Sequence, residues 1–133
     1  MPRSCQITPR FWSSLEEFLA THYFPGGRKG RNQKDKFLTF VEELNARIAA
    51  NPEQFPEEPW PQGRLPIPGW SFRKAYAHYL PFRDPARAVR IVYLFNAEEV
   101  RIALFYTHEQ FVVGRPPEES LDTLLDNLFG PES

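Results

Sequence analysis

The stretch that decides the fold runs from Trp70 to Phe111, WSFRKAYAHYLPFRDPARAVRIVYLFNAEEVRIALFYTHEQF. It reads as three strands in succession. Trp70, Phe72 and Tyr76 alternate with smaller residues, and the loop from Pro81 to Pro85 ends the first strand. Ala88 to Phe95 is rich in β-branched and aromatic residues, with Val89, Ile91, Tyr93 and Phe95 on one face and Arg90 on the other. Asn96-Ala97-Glu98-Glu99 supplies a hairpin turn. In the third strand, strict alternation assigns Val100, Ile102, Leu104, Tyr106 and His108 to one face and Arg101, Ala103, Phe105 and Thr107 to the other. Three consecutive strands with short links predict an antiparallel meander.

Upstream, Gln6-Ile7-Thr8 is a short extended segment ended by Pro9. Ser13 or Ser14 can cap a helix, with Glu16 or Glu17 completing a capping box, and that helix is expected to run to about Tyr23 with Leu15, Phe18 and Leu19 as its inner stripe. Pro25-Gly26-Gly27 breaks it, and Arg28 to Lys36 reads as a basic turn and helix start. Phe37, Phe40, Val41, Leu44 and Ile48 then recur at the spacing of a one-sided helix that ends near Asn51-Pro52. The two helices make a hairpin that can bury its stripe against a sheet. Between Pro52 and Pro68 six prolines exclude regular structure, so residues 51–69 read as a connector wrapped over the surface and anchored by Phe55 and Trp60. After the third strand, Pro116-Pro117 opens a helix whose Leu121, Leu124, Leu125 and Leu128 form an apolar stripe, stopped by Gly130-Pro131.

Composition sets the outer limits. A chain of 133 residues with 41% hydrophobic side chains, including 12 Phe, 5 Tyr and 3 Trp, can bury one core, so residues 1–133 are expected to form a single α+β domain. No apolar run approaches the roughly 20 residues that span a bilayer, and the N-terminus lacks a secretory signal pattern, so no membrane association is expected. The lone Cys5 excludes an internal disulfide framework and a cysteine-based zinc site, which fits a reducing cytoplasm. The net charge of −1 conceals a segregation: Arg64 to Arg115 carries eight basic against four acidic residues, while the acids from Glu118 onward are unopposed. The middle of the chain can therefore attract polyanions.

Side by side at a strand end, His108 and Glu109 offer an imidazole and a carboxylate, and the same sheet brings in Arg73, Lys74, Arg90 and Arg101. These are the residue types that acid–base chemistry on a phosphate needs: a proton carrier titrating near neutrality and cations to stabilise charge on phosphorus. Arg90 can hold a phosphate bidentately, Arg73 and Lys74 add charge, and Tyr106 can stack on a base. Strand neighbours point to opposite faces, so His108 and Glu109 act together only where the strand has ended. The plain alternatives are a strand-end histidine for His108 and a solvated strand face for Arg90 and Arg101. His22 and His78 read as structural, because no spacing among the histidines and acids makes a recognised metal site. No metal or cofactor is expected.

The order of short strand, helix hairpin, three antiparallel strands and final helix resembles the RelE/ParE toxin superfamily of bacterial toxin–antitoxin systems. Ile7-Thr8-Pro9-Arg10-Phe11-Trp12 followed by Leu15 and Leu19 is similar to that family's first strand running into its first helix. Val89-Arg90-Ile91-Val92-Tyr93 resembles its strand in which an Arg precedes a hydrophobic pair and a Tyr, and Tyr106 to Phe111 with Arg115-Pro116-Pro117 resembles the closing strand and catalytic tail of some members. The resemblance implies a RelE-like domain with a four-stranded, mainly antiparallel sheet that cleaves mRNA, often on the ribosome, and is held silent by an antitoxin protein. In that reading His108 is acid or base, Arg90 a phosphate ligand, Glu109 a catalytic support, and Arg73, Lys74, Tyr106 and Arg101 bind substrate. Two other functions stay open: a non-catalytic protein-interaction module on the same fold, which the near-neutral charge and acidic tail favour, and a ParE-like inhibitor of DNA gyrase.

Overall fold

The computed structural model describes residues 3–20, 24, 26–81, 88–107, 110 and 115–130. Within them the order is β1 (Ser4–Ile7), α1 (Pro9–Leu19), α2 (Gly27–Ala50), a single 3-10 turn (Pro52–Gln54), β2 (Ser71–Ala77), β3 (Val89–Phe95), β4 (Glu99–Thr107) and α3 (Glu118–Phe129). The chain is α+β, with a four-stranded mixed sheet in the order β1-β4-β3-β2. The β2–β3 and β3–β4 pairs are antiparallel and β1 runs parallel to β4. Both faces are covered. Phe11, Leu15 and Phe18 of α1 and Phe37, Val41, Leu44 and Ile48 of α2 pack on one face, against Val89, Ile91 and Tyr93. Leu121, Leu124 and Leu125 of α3 pack on the other, against Val92, Leu94 and Leu104. Coverage on both sides explains why β3 is buried throughout and reads as a continuous apolar run broken only by Arg90.

Two helix starts differ from the sequence expectation. Helix α1 begins at Pro9, not at Ser13 or Ser14, because Thr8 is the cap: its hydroxyl accepts from the Phe11 N–H at 3.2 Å, and Pro9 sits at a first-turn position where its missing N–H costs nothing. Ser14 lies inside the helix and serves the sheet instead. Its hydroxyl donates to the Phe11 carbonyl at 2.8 Å and accepts from the Phe105 N–H at 3.0 Å. The Thr8 N–H donates to the Ile102 carbonyl at 3.0 Å and the Thr8 hydroxyl to the Ala103 carbonyl at 3.2 Å. Helix α1 thus satisfies the backbone groups of β4 where β1 stops, as buried polar groups require. The helix ends at Leu19; Tyr23 and His22 lie outside the described residues. Helix α2 begins at Gly27 (φ +79°), so Arg28 to Lys36 are a helix start, as expected, with no separate basic turn before it; Gly30 lies buried inside the run without ending it, and the flanking Arg, Lys and Gln are good helix formers.

The strict alternation expected for β4 fails at one point. Tyr93 pairs with Ile102, but Val92 pairs with Leu104, leaving Ala103 as the extra residue of a β-bulge. Val100 and Ile102 face α1 and α2, whereas Ala103, Leu104 and Tyr106 face α3, and Phe105 returns to the α1 and α2 side. Without the bulge Arg90 would lie across from Phe105; with it the cross-strand partner is Tyr106.

The proline-rich connector wraps the β2 edge. The Tyr93 hydroxyl donates to the Pro52 carbonyl at 2.6 Å, and Phe55 meets the Tyr93 ring edge-on at 6.4 Å, on the α1 and α2 side. Glu57 then bridges to Arg73, Glu58 N–H donates to the Phe72 carbonyl at 2.9 Å, and Lys74 N–H donates to the Pro56 carbonyl at 3.3 Å. On the α3 side Trp60 packs on Phe72 at 5.2 Å, and the buried Arg64 guanidinium donates to the Asp126 carboxylate at 2.7 Å. The edge of β2 is thereby paired from Phe72 to Lys74, which shortens the exposed template for aggregation.

Candidate functional site

On the α3 side of the sheet, alternate residues of β2 and β3 bring together a set of groups that sequence order keeps apart. Tyr76, Arg90 and Tyr106 lie across from one another on β2, β3 and β4, and Lys74 is the next residue along β2 on the same face. Arg90 is 9% exposed, donates to the Ala88 carbonyl at 3.0 Å and holds its guanidinium 4.9 Å from the centre of the Tyr76 ring. Such a stack orients the planar guanidinium.

Glu58 and Arg115 complete the cluster. The Glu58 side chain is 10% exposed; one carboxylate oxygen lies 3.1 Å from the Arg115 guanidinium and the other 3.1 Å from the Lys74 ammonium. Arg115 also reaches Glu118, the first residue of α3, at 3.4 Å, and its Nε is buried without an acceptor. A single carboxylate shared by two cations is an oxyanion held by charge-assisted hydrogen bonds. Two cations, Lys74 and Arg115, thus meet the Glu58 carboxylate, Arg115 also meets Glu118, and Arg90 stands beside them on the same face of the sheet, across from Tyr106.

Tyr106 is 2% exposed, and burial first and the Glu58 carboxylate second push its phenol up to about 12, with Arg90 and Arg115 pulling the other way. At neutral pH it is a protonated hydroxyl, able to donate to an oxyanion and unable to act as a base.

The structure unites three of the sequence candidates, Arg90, Lys74 and Tyr106, and separates two others from them. Arg73 lies on the opposite face of β2, where it donates to the Phe55 carbonyl at 2.8 Å and stands 5.5 Å from the Phe95 ring. Arg101 sits at the far end of α3, donating to the Leu128 carbonyl at 2.8 Å between the rings of Trp70 (4.8 Å) and Phe129 (5.0 Å). There it complements the carboxyl end of the helix dipole. His108 and Glu109 lie outside the described residues. Sequence reasoning did not assign Glu58 or Arg115 to the site. Arg115 had a signal, being the lone cation just ahead of Pro116-Pro117, but Glu58 had none, because it lies in a proline-rich connector 57 residues from the arginine it pairs with.

Among the described residues no group of three or more His, Cys, Asp or Glu is placed to hold a metal ion, and no helix is long and apolar enough to cross a membrane. Set against family models, curated proteins and solved structures, the chain gives no match in any of the three comparisons.

Proposed function

We propose that this chain is a toxin-like endoribonuclease of RelE/ParE type that cleaves mRNA by metal-independent acid–base chemistry and is silenced by an antitoxin protein. The observation that carries the reading is the oxyanion position between Lys74 and Arg115, already occupied by the Glu58 carboxylate and adjoined by Arg90 and the protonated Tyr106. A phosphodiester entering there exchanges with Glu58. Its oxygens then meet Lys74, Arg115 and Arg90, and the unpartnered Nε of Arg115 gains an acceptor.

In the reaction this reading implies, a base takes the proton from a ribose 2′-hydroxyl and the 2′-oxygen attacks phosphorus. The bond to the 5′-oxygen breaks, and an acid protonates the departing oxygen, leaving a 2′,3′-cyclic phosphate. His108, two residues past Tyr106 in sequence, is the group whose ordinary titration range suits proton transfer, and Glu109 supports it. Lys74, Arg90 and Arg115 stabilise the charge that builds on the phosphoryl oxygens, and Tyr106 donates to one of them.

The test is inducible expression in a bacterial host with mapping of RNA ends, comparing wild type with a His108→Ala, Arg90→Ala double variant. New RNA ends and growth arrest from wild type alone support the reading; intact RNA from folded, well-expressed wild type rejects it. A non-catalytic protein-interaction module is the second reading, favoured by the ion pairs that Lys74 and Arg115 already make with Glu58. RNA affinity that falls steeply with salt counts against that module, because phosphate contacts release counterions.

A further inference from the structure

Beside the cationic cluster the α3 side of the sheet carries a groove of about 460 Å³, within the roughly 300–1,000 Å³ usual for ligand pockets. Its walls are aromatic, formed by Trp60, Trp70 and Phe72, and its polar lining comes from Glu57, Glu58 and Ser71. Glu58 belongs to both places: it lines the groove, and it is the carboxylate shared by Lys74 and Arg115. We propose that the groove is a nucleobase subsite with a preference for guanine, filled by the base of the nucleotide whose phosphate binds Lys74 and Arg115. The proposal rests on the endoribonuclease reading and names the substrate feature that the same site selects.

The chemistry follows from what each half of a nucleotide offers. Flat aromatic walls accept any base by stacking, and purines present the larger face. When phosphate takes over Lys74 and Arg115, the Glu58 carboxylate loses both cations and needs donors in their place, because a carboxylate of so little exposure cannot stay unpaired. Carboxylates only accept hydrogen bonds. Guanine alone presents two adjacent N–H donors on its Watson–Crick edge, at N1 and N2, matching the two oxygens of one carboxylate. Adenine and cytosine set a donor beside an acceptor, and uracil sets one donor between two acceptors. One guanosine nucleotide therefore supplies both partners of the exchange, an anion for the cations and a pair of donors for the displaced anion. The backbone of Glu58 is fixed by its N–H bond to the Phe72 carbonyl at 2.9 Å, so the side chain turns between the two places without moving the strand edge.

The experiment is calorimetric titration of the full chain with guanosine 3′-monophosphate, uridine 3′-monophosphate and inorganic phosphate, on wild type, Glu58→Gln and Trp60→Leu. Wild type is expected to bind the guanosine nucleotide about tenfold or more tightly than the uridine nucleotide, by stacking and the added donor pair. Glu58→Gln is expected to abolish that difference while keeping phosphate binding. Trp60→Leu, checked for folding by circular dichroism, is expected to weaken the guanosine nucleotide about fivefold or more and leave inorganic phosphate unchanged. Equal affinities for the two nucleotides in wild type, or a guanine preference that survives Glu58→Gln, overturns the subsite while the phosphate site stands. Failure of all three probes to bind overturns the phosphate site and the subsite together.

Discussion

Replacing Glu58 by Gln tests whether that carboxylate stands where a substrate phosphate goes. The substitution keeps the side-chain volume and removes the charge that Lys74 and Arg115 share at 3.1 Å each. Removing one partner from a fully buried ion pair costs about 3–5 kcal/mol, but both cations retain partial contact with water, and Arg115 keeps Glu118 at 3.4 Å. The amide oxygen also still accepts one hydrogen bond. The net cost is therefore expected at about 2 kcal/mol, or a fall in melting temperature of about 6–10 °C for a chain of this size. Inorganic phosphate should restore much of the loss. At ten times its dissociation constant a ligand bound only by the folded state adds about 1.4 kcal/mol, and the variant, with its oxyanion position vacated, should reach that stabilisation at lower phosphate concentration than wild type. Thermal denaturation across a phosphate series at constant ionic strength reads both quantities. Equal stabilisation of the two proteins by phosphate would refute the exchange, and a variant as stable as wild type would refute the energetic importance of the pairs.

Three further outcomes are expected. The Tyr106 phenol ionises near 10 in the unfolded chain and is pushed up to about 12 in the fold, so its contribution is complete below pH 10 and lost as pH rises toward 12. Urea titrations over that range should show stability falling by up to about 1.4 kcal/mol per pH unit for this group, and Tyr106→Phe should flatten the slope. Arg101→Leu should cost about 1–2 kcal/mol in urea denaturation by freeing the Leu128 carbonyl and the faces of Trp70 and Phe129, with phosphate binding unchanged, because Arg101 stands apart from the cationic cluster. Deleting Ala103 should remove the bulge and leave Val92, Ile91 and Arg90 across from Leu104, Phe105 and Tyr106, so that both cores keep their residues. The cost is expected at about 1–3 kcal/mol in urea denaturation, for the lost Ala103 contacts on the α3 side and the altered strand twist, and an unfolded chain by circular dichroism would contradict the assigned register.

The sequence by itself determined which segments are helices and strands and which of their residues are apolar, whereas the covering of the sheet face opposite α1 and α2 by α3 was decided by the tertiary structure. Helical spacing from Phe37 to Ile48 and from Leu121 to Leu128, and the apolar runs around Val89 and Val100, are local patterns written by one-sided or two-sided burial, and the observed cores follow them. Where local chemistry offered two answers, tertiary contact chose. Both Thr8 and the serines at 13 and 14 can cap a helix, and Thr8 prevailed because its hydroxyl also serves the Ala103 carbonyl while Ser14 is drawn to the Phe105 N–H. The site divides the same way. Arg90, Lys74 and Tyr106 were legible as cations and an aromatic on neighbouring strands, but their meeting on one face depends on a bulge at Ala103 that alternation cannot announce. Glu58 and Arg115 became partners only because the proline-rich connector crosses the β2 edge and returns beside the start of α3. Periodicity reports which side of an element is buried; which distant charge will neutralise a buried one is settled by chain paths in three dimensions, and no local pattern encodes them.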